Sequence, residues 1–143
     1  MKIYPENNEW QPVQGVDGVQ LMPLMSSAAS DGSNIYLVEF SELFLLVDLG
    51  SDQKRLAAVA DAVNAADPTY AKPLLVVLTH CHIDHIAAAP GLECLQPRQI
   101  AIAGHFAGTS ALAAQDQALT ISFLFKTIPP LIDVDLVLFG ALS

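Results

Sequence analysis

Three of the four histidines in this 143-residue chain fall within six positions, in the run Thr79-His80-Cys81-His82-Ile83-Asp84-His85. Imidazole and carboxylate groups packed this densely suit a divalent metal: zinc, and also iron or manganese. The run follows the apolar segment Leu74 to Leu78, and functional groups in open α/β sheets gather at the carboxyl ends of strands. While the backbone stays extended, side chains alternate faces, so His80, His82 and Asp84 point one way and Cys81 and Ile83 the other. His85 joins the first three only where the chain bends into a helical turn. Cys81 is read as a buried thiol turned away from the ligands. His105 is alone in its segment and reads as an ordinary surface or core histidine.

Such a cluster needs a strand to deliver it and a sheet to hold that strand. Leu74 to Leu78 (LLVVL) is a short continuous apolar run, which predicts a strand buried on both faces. Upstream, Val19 to Leu24 reads as a first short strand with Pro23 at an edge or end, and Ser26 to Ser33 as a turn. Asn34 to Phe40 and Leu43 to Leu49 are rich in β-formers and separated only by Ser41 and Glu42, which predicts a hairpin. From Gln53 to Ala66 the apolar positions Leu56, Val59, Ala60 and Val63 recur at helical spacing, behind Ser51 or Asp52 as N-cap. A helix is expected to begin near Asp84 and stop at Pro90 and Gly91. Gln99 to Ala103 reads as a strand, Ala107 to Leu119 as a helix, and Ile132 to Phe139 as a strand. Thr120 to Ile128 fits either helix or strand. The alternation of strand and helix places the chain in the α/β class with partly parallel pairing.

The string Leu78 to His85 (LTHCHIDH) resembles the Thr-His-x-His-x-Asp-His signature of the metallo-β-lactamase superfamily, which includes lactamases, glyoxalase II-type thioesterases, lactonases and phosphodiesterases. Asn34 to Val38, then Leu46-Val47-Asp48-Leu49-Gly50, are similar to the family upstream, and the likeness runs from about residue 15 to 110. The resemblance implies an αββα sandwich of two similar halves, of which this chain would be the first. It implies that His80 and His82 bind a first zinc, and Asp84 and His85 a second. Asp48 and Thr79 would orient ligands from behind; a turn carboxylate or helix start is the plainer reading of Asp48. The family chemistry is hydrolysis by a metal-bound hydroxide that Asp84 holds in line.

In that family the second half supplies further ligands, often from a Gly-His-x-x-Gly turn. Only 58 residues follow His85, with His105 their single histidine, and Val134 to Gly140 looks like the stretch that precedes that turn. The expectation is a single incomplete domain over residues 1–143. It is either a hydrolase of a small-molecule ester, thioester or amide whose missing ligands come in trans, or a non-catalytic metal-binding remnant. A diiron electron-transfer domain usually has an acidic residue in place of one motif histidine, so HxHxDH argues against it.

Composition bounds the partners. A net charge of −9, with six scattered basic residues, speaks against nucleic acid, whose phosphates need clustered Lys and Arg. No run approaches the roughly eighteen apolar residues that cross a membrane, and residues 1–14 do not read as a signal peptide. With two cysteines and no disulfide framework, the default is a cytoplasmic protein. Apolar residues make up 52% of the chain and charged ones 15%, with mean hydropathy +0.43. If the second half is missing, strands 34–40 and 43–49 lose their cover, and self-association through an uncovered sheet is expected.

Overall fold

The computed structural model describes residues 7–26 and 33–139, so most of the turn predicted at 26–33 lies outside the described residues. Among these, seven strands form one sheet: β1 (Gln11–Pro12), β2 (Gln20–Leu24), β3 (Ile35–Glu39), β4 (Phe44–Val47), β5 (Leu74–Leu78), β6 (Ile100–His105) and β7 (Leu136–Leu138). They lie in sequence order, antiparallel from β1 to β4 and parallel from β4 to β7. Three helices connect the parallel strands: α1 (Gln53–Ala66), α2 (Ile83–Ile86) and α3 (Phe106–Ala114). Each parallel step moves one place along the sheet in the same direction. Crossovers of one hand therefore lay all three helices on the same face.

That asymmetry is written in the burial. Leu37, Leu46 and Val76 are neighbours in register and fully buried beneath Leu56, Val59, Ala60 and Val63 of α1. One residue along, Val38, Leu45 and Leu75 are also neighbours, but on the opposite face and only half-buried. The expectation that β5 is buried on both faces is thus corrected. Its apolar run reflects one covered face and one apolar face with less cover.

α1 has the predicted bounds, and Asp52 caps it by accepting from the Lys54 N–H at 2.9 Å. The hairpin of β3 and β4 closes across Ser41 and Glu42, with the Phe40 N–H on the Leu43 carbonyl. Other boundaries moved. The helix at Asp84 is a single turn, and Pro90 and Gly91 do not stop it; they lie inside a separate 3-10 turn, Ala89–Leu95, where Pro fits the first positions. α3 ends at Gln115, whose left-handed φ of 51° closes the helix five residues early. Segment 120–128 holds only the 3-10 turn Ser122–Phe125, between left-handed Ile121 and Lys126. The last strand shrinks because Asp135 pairs with Ile102 through both its backbone N–H and its carboxylate before the β7 ladder starts. The short β1 was not foreseen.

Among the described residues most of the exposed large apolar side chains lie in the tail, while Val38, Leu45 and Leu75 form a half-buried apolar face of the sheet. Phe123, Leu124, Ile128, Leu131, Leu136 and Phe139 are each more than half exposed. No described helix is long and apolar enough to cross a membrane.

Candidate metal centre

β5 ends at Leu78, and the backbone is still extended at His82 (φ −64°, ψ 145°), the N-cap of α2. Alternation therefore holds for His80 and His82, whose rings meet edge-on with centroids 4.7 Å apart. The first turn of α2 then swings Asp84 to the same side. One ligand atom from each of His80, His82 and Asp84 lies within 4.8 Å of the other two. The same turn brings His85 in, its ring centroid 3.9 Å from that of His80 and its Nε2 3.4 Å from Asp84 Oδ2. Two imidazoles and a carboxylate this close, with a third imidazole beside them, form a donor set that fits a divalent metal.

Behind the cluster sits Asp48, 4% exposed and held at a left-handed φ of 61°. For a non-glycine residue that conformation costs about 1–2 kcal/mol, and here it accompanies a fully engaged side chain. Oδ1 accepts the Thr79 N–H at 2.8 Å; Oδ2 accepts the Thr79 hydroxyl at 2.6 Å and the His85 Nδ1–H at 2.8 Å. The capping role that offered a plainer reading of Asp48 belongs to Asp52. The loop carrying Asp48 is also stitched to α2, since the Leu49 N–H donates to the His85 carbonyl and the Ala88 N–H to the Gly50 carbonyl. Partial desolvation of the His80 ring, then the neighbouring His85 and His82, lower the His80 pKa. That favours neutral imidazole, the form that binds metal.

Cys81 points away from the cluster. Its Sγ lies 3.7 Å from the Leu119 carbonyl, and burial raises its thiol pKa. His105 is outside the group too. It caps α3, its Nδ1 accepting the Ala107 N–H at 3.2 Å, across a cavity of about 240 Å³ that separates it from His80. Sequence reasoning missed Ser33, whose hydroxyl donates to the Asp84 carbonyl at 2.9 Å. The partners are 51 residues apart, so no local pattern could show it. It also left open which ligand Asp48 serves, and the hydrogen bonds show His85 directly, with Thr79 between Asp48 and His80.

Residues 30–94 match the family model of the metallo-beta-lactamase superfamily. No curated protein matches the chain. Among solved structures, the fold is similar to the metallo-beta-lactamase FIM-1 from Pseudomonas aeruginosa in its mono-zinc form. That match has 23% identity and a TM-score of 0.50, over 78% of this chain and 47% of that one. FEZ-1 from Legionella gormanii matches at 15% identity and a TM-score of 0.60, over 95% of this chain and 49% of that one. BJP-1 of Bradyrhizobium japonicum, of subclass B3, matches at 16% and 0.53, over 88% and 44%. The chain thus spans about half the length of the structures it resembles. The family model takes in β3, β4, α1, β5 and the whole histidine motif, and over those residues the chain is similar to the metallo-β-lactamase superfamily, whose fold it shares.

Proposed function

We propose that the protein binds zinc at His80, His82, Asp84 and His85 and serves the hydrolysis of an ester, thioester or amide in a small molecule. The observation that carries this is the convergence of ligand atoms from His80, His82 and Asp84 within 4.8 Å. FIM-1, of similar fold, was solved with zinc. When bound, the metal supplies a hydroxide at neutral pH and polarises the carbonyl under attack. The chain's own residues do the positioning. His80 and His82 hold one side of the centre, while His85, pinned at Nδ1 by Asp48, keeps Nε2 for the other. Asp84, half-buried at the rim, accepts a hydrogen bond from the attacking water and fixes its orientation.

A second reading, metal binding without catalysis, is favoured by one observation. A catalytic zinc site takes three protein ligands and an open position, and the chain spans only about half of each structure it matches. Zinc analysis beside a thioester and lactam hydrolysis screen separates the two readings. Zinc without turnover selects the second, and turnover that disappears with chelator selects the first. His82→Ala should lower zinc affinity by more than the ~10-fold that loss of an outer partner costs, and His105→Ala should leave it unchanged. Equal losses would overturn the ligand assignment.

The proposal extends to assembly with a second copy of the chain. Among the described residues β7 pairs with β6 alone, all three of its residues are exposed, and exposed apolar side chains lie near it in the chain. An apolar edge strand with unpaired backbone groups is self-complementary under a two-fold axis. Sedimentation at low micromolar concentration should show association that Val137→Lys weakens. A monomer at every concentration would sink this part.

A further inference from the structure

Asp84 belongs to two places at once. One is the cluster with His80 and His82. The other is a cavity of about 190 Å³ lined by Ser51, Ile83, Asp84, Ala87, Phe125 and Thr127. A cavity of about 150 Å³ with apolar walls takes a benzene ring, so this one has room for a phenyl ring or a chain of about six carbons. Ile83, Ala87 and Phe125 make its walls apolar, and among the described residues that line it Asp84 carries the only charge. Lys126 lies between Phe125 and Thr127 in the chain but is not part of the lining. An anionic group would therefore meet like charge there, with no cation to offset its lost hydration.

The two walls are tied to each other. The Ile83 N–H donates to the Thr120 carbonyl at 2.8 Å, and Thr120 and Ser122 are fully buried with their hydroxyls 3.0 Å apart. Phe125 ends the 3-10 turn that begins at Ser122, and the Thr127 N–H returns to the Ser122 carbonyl at 3.3 Å. The segment that carries Phe125 is thus anchored to the first residue of α2. Its ring nevertheless stays 49% exposed. A fixed aromatic ring half in water beside an apolar cavity is what a ligand groove offers. We infer that this cavity takes the uncharged apolar group of the substrate, which sets the rest of that molecule beside Asp84. The substrate class is then an ester, thioester or amide bearing an aliphatic or aromatic group of about six carbons. An acetyl group leaves the cavity unfilled, and a group ending in a carboxylate is rejected by Asp84.

The inference rests on the proposed hydrolysis for the bond that is cut, not for the cavity, which can be probed without metal. The test adds hexanamide to metal-free, ¹⁵N-labelled protein near neutral pH and follows the backbone amides. Those of Ile83, Ala87, Phe125 and Thr127 should shift together. Affinity should rise by up to about fourfold per methylene from acetamide to hexanamide and level off with longer amides. Hexanoate should bind more weakly than hexanamide. Phe125→Ala should weaken hexanamide binding about fivefold or more. Phe123→Ala should leave it unchanged, because that ring is similarly exposed on the same turn but outside the lining. Affinity indifferent to chain length, hexanoate binding as tightly as hexanamide, or equal losses in the two variants would each overturn the inference. Chain-length dependence in a protein that binds no zinc would uphold the cavity and sink the metal reading. Tight zinc binding by a protein whose cavity amides ignore hexanamide would do the reverse.

Discussion

Arg98→Met is expected to lower folding stability by about 3 kcal/mol or more, the usual cost of breaking a buried ion pair from one side. Arg98 precedes β6 and is 3% exposed. Its guanidinium donates to Asp67 Oδ2 at 2.6 Å, to the carbonyls of Lys72 (2.6 Å), Asp67 (2.9 Å) and Val63 (3.3 Å), and to Asn64 Oδ1 (3.3 Å). The rings of Phe44 and Tyr70 lie 5.2 and 5.3 Å from it. One side chain thus ties the end of α1 and the loop into β5 to the start of β6. Methionine keeps much of the volume but removes all five hydrogen bonds, leaving Asp67 Oδ2 only the Lys72 N–H and the Val63 carbonyl only the Asp67 N–H. Lysine would not serve either, because a point charge cannot reach acceptors spread around a planar fork. The check is a denaturant midpoint that falls while the m-value stays constant. A loss below about 1 kcal/mol would put the variant in the range of an ordinary surface change.

The same cluster predicts an acid response. The Asp67 carboxyl is lowered from 3.8 to about 2, first by the Lys72 N–H and next by the Arg98 side chain. A carboxyl whose folded pKa is depressed adds stability that is present above about pH 4 and lost as pH falls toward 2. Stability should therefore decline over that interval in the wild type and decline less steeply in Arg98→Met. Identical slopes would mean that the pair contributes nothing there.

Arg98 also marks where sequence reading ends. The histidine motif was legible because its chemistry is local: an extended strand end followed by one helical turn brings four nearby side chains together. α1 was legible because Leu56, Val59, Ala60 and Val63 repeat at the helical period, and β5 because five apolar residues stand between loop signals. Nothing local announces that Arg98 will be buried against Asp67, 31 residues earlier, or that Ser33 will hold Asp84. Such contacts exist only after the sheet has brought distant segments together. The tail failed for a different reason. Its apolar residues follow neither a period of two nor one of 3.6 for long, and left-handed turns at Gln115, Ile121 and Lys126 break both patterns. Apolar content there does not translate into burial either: Leu124 and Ile128 are 64% and 66% exposed.

Gly50→Ala should cost about 3 kcal/mol, although it adds a single methyl group in the loop between β4 and α1. Gly50 has φ +71°, and a Cβ there would lie 2.5 Å from Arg55 Nη2 and 3.1 Å from its Cζ. The left-handed backbone alone accounts for about 1–2 kcal/mol. The rest comes from Arg55, which is not free to swing aside: its Nη1 donates to the carbonyls of Ser33 and Leu24. Moving the guanidinium releases both carbonyls, and hydrogen bonds from a charged donor contribute about 1.5–3 kcal/mol each before any relaxation. Ser33 in turn holds the Asp84 carbonyl, so the disturbance reaches the histidine cluster, and the zinc affinity proposed for it should fall along with stability. A double-mutant cycle separates the two sources. In an Arg55→Ala background the clash is gone, and Gly50→Ala should then cost only the backbone part, about 1–2 kcal/mol. If the glycine substitution costs the same in both backgrounds, Arg55 is not what the methyl group meets, and the link from this loop through Ser33 to Asp84 fails with it.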